Sequence, residues 1–189
     1  MALYCRAMPV YISMLRGINV GGHNLIKMDA LRELYTSLKL ENTQSYVQSG
    51  NVVFCTKKTD ETALARTIQS AIEKTFGFRP EIILRSSAEL RNVIATNPFA
   101  KRANVETNKL NVGFLLTQPS AETSKKLENL PNMPEEVHLA GRELYIYFPE
   151  GMGRSKLPPM LDRLLKIPTT FRNWNSVTKM MEIASHLEE

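Results

Sequence analysis

The sequence predicts an α+β fold built from two tandem halves, each an antiparallel sheet with helices packed on one side. Three observations predict it. The order of helix-like and strand-like periodicities over residues 10–96 recurs over 109–189. Each half holds two adjacent β-rich runs separated only by turn residues. A polar, aperiodic stretch lies between the halves.

The elements follow in order. An apolar run over 10–16 is the first strand. Leu31, Leu34, Tyr35 and Leu38 share one face of a helix over 29–38. Strands at 44–48 and 51–55 flank Gln48-Ser49-Gly50-Asn51, which reads as a hairpin turn. Leu64, Ile68, Ile72 and Phe76 line a helix over 60–76. A strand at 80–85 leads to a helix at 87–95, where Ser86 and Glu89 have capping-box spacing. Residues 97–108, beginning Asn97-Pro98-Phe99, hold no period and form the junction.

The second half starts with a strand over 109–117 and a helix over 120–130 capped at Ser120. Strands at 135–139 and 143–148 form a hairpin around Gly141. A helix over 155–166 is capped by Ser155 and tolerates Pro158 and Pro159 in its first turn. A short strand at 168–172 precedes a helix over 175–187 capped at Asn175, with Val177, Met180, Met181 and Ala184 inward. Two βαββαβ units imply two ferredoxin-like halves, at 10–96 and 109–189, preceded by an extension over residues 1–9.

The chain has 189 residues, 43% of them hydrophobic and 23% charged, enough apolar material for a real core. No apolar run reaches the roughly 18–20 residues of a membrane span, and the start shows no signal-peptide pattern. Cys5 and Cys55 lie far apart and are expected as free thiols in a reducing cytosol. The expected setting is therefore cytoplasmic, without membrane association.

Net charge is +5. From Gly151 to Met181 six cations (Arg154, Lys156, Arg163, Lys166, Arg172 and Lys179) face one anion, Asp162. Such a bias favours anionic partners, a solvated basic face being the plainer alternative.

The first strand-to-helix connection is the most informative segment. Arg16-Gly17-Ile18-Asn19-Val20-Gly21-Gly22-His23-Asn24-Leu25-Ile26-Lys27 spends about twelve residues where the second half spends about three, Thr117 to Pro119. Its spacing is neither the dinucleotide fingerprint nor a P-loop. Adjacent glycines still free backbone N–H groups to converge on an anion, and Arg16 and Lys27 supply charge. The alternative is a loop that packs, its glycines required by positive φ.

Other candidates are weaker. Arg154, Ser155 and Lys156 surround a predicted helix start, where an anion would be favoured. Arg172, Asn173 and Trp174 join the last strand to the last helix. Trp174 reads as a packing anchor and Arg172 as a possible anion clamp. Ser49 and Asn51 read as turn chemistry. His23, His138 and His186 are scattered and form no metal cluster, and His23 alone lies where an acid or base would be tested. No cofactor and no metal are expected.

The strings RGINVGGHNLIKM, SYVQSGNVVF, GMGRSKLP and TTFRNWNSVTKM, in this order, resemble the bacterial family of domain of unknown function 1697. The resemblance spans about Val10 to Leu187. It implies an α+β fold with duplicated ferredoxin-like halves in a cytosolic bacterial protein, and no activity. The residues themselves favour an anion-binding module, its site between the two halves, for a nucleotide, a phosphorylated metabolite or a nucleic-acid backbone. Single-stranded nucleic-acid binding on a sheet face, an enzyme using the glycine-rich loop, and an oligomeric scaffold remain the alternatives.

Overall fold

The computed structural model describes residues 8–131 and 133–189. Most of the expected extension at residues 1–9 lies outside them. Two four-stranded antiparallel sheets are present, ordered β2-β3-β1-β4 and β6-β7-β5-β8. The first comprises β1 (Val10–Leu15), β2 (Glu41–Tyr46), β3 (Asn51–Cys55) and β4 (Ile82–Ser86), with helices α1 (Met28–Ser37), α2 (Glu61–Phe76) and α3 (Ser87–Ala95). The second comprises β5 (Leu110–Leu115), β6 (Glu136–Ala140), β7 (Glu143–Tyr147) and β8 (Thr169–Asn173), with α4 (Ala121–Glu128), α5 (Leu157–Leu165) and α6 (Trp174–Glu188). The βαββαβ order is realised twice. The chain divides into two compact units, one running to Asn92 and adding Thr178–Glu189, the other Val93–Val177.

Each half buries an alternating face of its sheet under two helices. In the first, Tyr11, Leu15, Val52, Phe54, Ile82 and Leu84 meet Leu31 and Tyr35 of α1 and Leu64, Ile68 and Ile72 of α2. In the second, Leu144 and Ile146 meet Leu127 of α4 and Leu157, Leu161 and Leu165 of α5. Helices on one side describe only this layer. Ile12, Met14, Val53, Ile83, Val112, Phe114 and Tyr145 point from the opposite faces and are buried too. Strands β1, β3 and β5 are therefore buried on both faces, so neither sheet presents its central strands as an open platform for nucleic acid.

The helix ends follow local chemistry. Asp60 accepts from the Ala63 amide at 3.0 Å, and Gly77 closes α2 in the left-handed region at φ 81°. The Ser86–Glu89 capping box forms in both directions: the Ser86 amide donates to Glu89 Oε2 at 2.8 Å and the Glu89 amide to Ser86 Oγ at 3.2 Å. Ser120 caps α4 through the Thr123 amide.

Two caps differ from expectation. Helix α5 begins at Leu157, and residues Met152–Arg154 form a separate 3-10 turn. Ser155 sits between them, accepting from the Leu157 amide at 3.0 Å. Helix α6 begins at Trp174 and is capped by Asn173 rather than Asn175, its Oδ1 accepting from the Ser176 amide at 2.8 Å. The aperiodic segment after α3 carries local bonds of its own. Asn97 and Phe99 are buried, the Phe99 amide donates to Asn97 Oδ1, and Arg102 lies 4.7 Å over the Phe99 ring.

The expectation of two free thiols falls on Cys5 as well as on Cys55, which is buried in β3. Cys5 lies outside the described residues. No helix among the described residues is long and apolar enough to cross a membrane.

Candidate functional site: the loop after the first strand

The connection from β1 to α1 occupies Arg16 to Lys27, twelve residues; its counterpart from β5 to α4 occupies Leu116 to Ser120, five rather than three. The excess survives the correction. It is folded, and the reasons are local. The Leu15 amide donates to the Gly50 carbonyl and the Arg16 amide to the Glu81 carbonyl, at 2.9 and 2.8 Å. Gly17 turns the chain at φ 69°. Ile18 and Ile26 then drop into the core, 2% and 3% exposed, and act as the loop's two anchors.

Between the anchors lies a miniature hairpin. The Asn19 amide donates to the Asn24 carbonyl at 3.2 Å and the His23 amide to the Val20 carbonyl at 3.0 Å. Gly21 and Gly22 form its two-residue turn at φ 59° and 79°. A turn with both central residues left-handed suits glycine because it has no Cβ. The paired glycines are thus explained by turn geometry. Their amides take no partner among the described residues.

Asn19 is the keystone. Its Nδ2 donates to the Ile26 carbonyl at 3.0 Å and to the Gln48 carbonyl at 2.8 Å, while its Oδ1 accepts from the Ile26 amide at 2.8 Å. It does this from the left-handed region at φ 54°, which asparagine tolerates better than most residues. Asn24 repeats the device more weakly, at φ 51°, donating to the Gly17 carbonyl at 3.0 Å. Both asparagine side chains therefore build the loop and are committed.

The β2–β3 turn completes the unit. Asn51 is buried, and its Nδ2 donates to Ser49 Oγ at 2.9 Å and to the Tyr46 carbonyl at 3.3 Å. Gly50, at φ 71°, is packed so tightly that a Cβ there would lie 2.7 Å from Ile18 Cδ1 and 2.9 Å from Leu15 Cβ. Of the predicted candidates, Arg16, Gly17, Asn19, Gly21, Gly22, His23, Lys27, Ser49 and Asn51 thus belong to one locally bonded structure. What it displays to solvent is Arg16, Gly17, Val20, Gly21, Gly22, His23, Asn24, Leu25 and Lys27.

The sequence reading missed the apolar part of this display. Val20, Leu25 and Val47 are 66%, 67% and 49% exposed, and they are the exposed large hydrophobic residues among those described. A valine and a leucine inside a Gly/Asn-rich loop were the available signal. Gln48, which ties the loop to the turn through its carbonyl, gave none.

The remaining candidates lie elsewhere. Arg154 and Lys156 are exposed beside the start of α5. Ser155 donates to Glu135, and that carboxylate already supplies an anion next to the helix start. Trp174 is buried at the first position of α6. Arg172 is buried in β8, where Nη1 donates to Thr170 Oγ1 at 2.6 Å and to the Phe171 carbonyl at 2.9 Å. Desolvation pushes its guanidinium down to about 10. Among the described residues no group of three or more His, Cys, Asp or Glu gathers as a metal would need.

A cavity of about 460 Å³ lies between α4 and α5, lined by Lys125, Leu130, Pro131, Met160 and Leu164 among others. A second, of about 690 Å³, lies along α1 beside Arg32, Thr36 and Thr43. Neither touches the loop.

The fold is similar to that of the conserved bacterial protein SP0830 from Streptococcus pneumoniae, with a TM-score of 0.75, 21% identity, and coverage of 94% of this chain and 99% of that one. None of the curated proteins matches. Residues 8–145 match the model of the family described as protein of unknown function, DUF1697. With most of its length covered by that match, and with the loop and the first hairpin inside it, the chain belongs to the DUF1697 family.

Proposed function

We propose that this protein is a binding module whose recognition element is the Arg16–Lys27 loop of its first half, and that the group it binds is anionic. The halves are read as ferredoxin-like scaffolds that hold the loop. One observation carries the proposal. The loop is far longer than its counterpart, yet Asn19 fixes it through three hydrogen bonds, so exposed residues are displayed on a preformed frame. Preorganisation of that kind lowers the ordering cost of binding. Two glycine amides at the tip, without a partner among the described residues, and Lys27 at the start of α1 supply donors and charge.

Thermal unfolding in the presence of pyrophosphate, nucleotides, sugar phosphates and oligo-dT tests this reading. A ligand at ~100 times its dissociation constant stabilises by ~2.7 kcal/mol. The expected outcome is stabilisation by at least one of these anions, lost in Lys27→Ala and reduced by salt. Stabilisation that is equal in Lys27→Ala and wild type, or absent for all four classes, overturns it.

A further inference from the structure

The same loop points to the kind of partner that the anionic group belongs to. Three observations bear on it. First, the exposed large hydrophobic residues among those described, Val20, Leu25 and Val47, all lie on this loop and the turn bonded to it. Val20 and Leu25 flank the miniature hairpin, and Val47 precedes Gln48, whose carbonyl is tied to Asn19 at 2.8 Å. Exposed apolar side chains gathered in one place mark contact surfaces, whereas scattered ones do not.

Second, within the loop and the turn themselves the charge has one sign. From Arg16 to Lys27 there are two cations and no carboxylate, and from Asn42 to Gly50 there is no charged residue. Asp29, just past the loop, is paired with Arg32. Third, every residue from Val20 to Leu25 is exposed, so the tip is convex. Small-molecule sites are concave, and this surface encloses nothing.

Resting on the loop as the recognition element, we infer that it docks a segment of another protein, in which acidic residues sit beside aliphatic or aromatic ones. His23 is the one ring at an otherwise aliphatic tip, too little for stacking successive bases, which disfavours single-stranded nucleic acid. A second copy is disfavoured by charge: a twofold contact through this patch would bring each loop's cations against their own copies. An acidic, apolar segment satisfies both features at once, cations steering and orienting, apolar contacts setting the lifetime.

The experiment is a random 12-residue peptide display selection on the full chain, followed by fluorescence anisotropy of enriched peptides. Val20→Ser/Leu25→Ser and Lys27→Ala are the variants, and pyrophosphate and oligo-dT are titrated in parallel. The expected result is enrichment of Asp or Glu beside Leu, Ile, Val or Phe. Affinity for those peptides falls at least tenfold in Val20→Ser/Leu25→Ser. Both variants alter exposed residues, and their unfolding temperatures check the fold. No enrichment, enrichment without that composition, or equal peptide affinity in Val20→Ser/Leu25→Ser overturns the inference. If Lys27→Ala still weakens pyrophosphate or oligo-dT in those cases, the anion reading stands alone. If Lys27→Ala weakens neither, that reading falls as well.

Discussion

Arg85 and Arg172 occupy the same position in the two halves and make the same bond. Arg85 pairs with Ile12 across the β1–β4 ladder, and Arg172 with Val112 across the β5–β8 ladder. Each is buried, and each donates Nη1 to the carbonyl just before it, Leu84 at 2.8 Å and Phe171 at 2.9 Å. The residue after each arginine, Ser86 or Asn173, caps the helix that follows. Duplication is thus written in side-chain chemistry as well as in element order.

A buried guanidinium is costly to hold and costlier to truncate. Arg172→Ala leaves a cavity and strands the Thr170 hydroxyl, and is expected to lower unfolding free energy by about 2–4 kcal/mol. Arg172→Met fills the space without the charge and is expected to cost under about 1.5 kcal/mol. Urea denaturation of both variants, with an unchanged slope, checks the difference. Equal losses would mean that the charge itself is what stabilises.

Gly50→Ala tests the coupling between the loop and the β2–β3 turn. The added methyl meets Ile18 and Leu15 below 3.0 Å from a backbone at φ 71°. Strain and overpacking together predict a loss of about 2–4 kcal/mol. Gly22→Ala meets open space and bears only its left-handed φ of 79°, so about 1 kcal/mol is expected. Chemical denaturation that ranks these two in the opposite order would contradict the packing described.

Asn19→Ala removes three hydrogen bonds and an asparagine suited to a left-handed backbone. About 2–3 kcal/mol is expected to be lost, with faster amide exchange at Ile26. Asn19→Gly restores the conformational freedom without the bonds and should recover only a minor part. Hydrogen exchange at Ile26 that matches wild type would show that the loop does not depend on Asn19.

Tyr35 gives an alkaline signature. Its hydroxyl is buried and shares a 2.7 Å hydrogen bond with Ser13. Burial pushes its phenol well above the ordinary 10. Above that pH the unfolded chain releases the proton while the folded chain keeps it, so stability present below about pH 10 is lost as pH rises, by about 1.4 kcal/mol per pH unit. Tyr35→Phe is expected to be about 1 kcal/mol less stable at pH 7 and to fall less steeply between about pH 10 and 11. Tyr11 and Tyr145, also raised by burial, keep some slope in both proteins. Arg172, held down to about 10, pulls the other way equally in both. Parallel pH profiles would count against a buried neutral Tyr35.

Much of this architecture was legible in the chain. Leu31, Leu34 and Tyr35 at helical spacing place α1 on its sheet, and Ser86 with Glu89 writes the start of α3, because these signals act over one or two turns of backbone. The caps of α5 and α6 were misread by one or two residues. Asparagine and serine stand at neighbouring positions there, and only the packed strand decides which side chain reaches the amide.

The sequence by itself determined the element order, the duplication and the place of the long loop, since periodicity, glycine and capping chemistry are local. Tertiary structure alone decided what that loop is. It turned Gly21-Gly22 into the turn of a miniature hairpin, spent Asn19 and Asn24 on holding it, and left Val20, Leu25 and Val47 facing solvent. It also gave Ser155 an internal carboxylate in Glu135 and buried Arg85 and Arg172, each bonded to the carbonyl just before it. Each of those outcomes depends on which residues distant in the chain come within a few ångströms, and no local spacing encodes that.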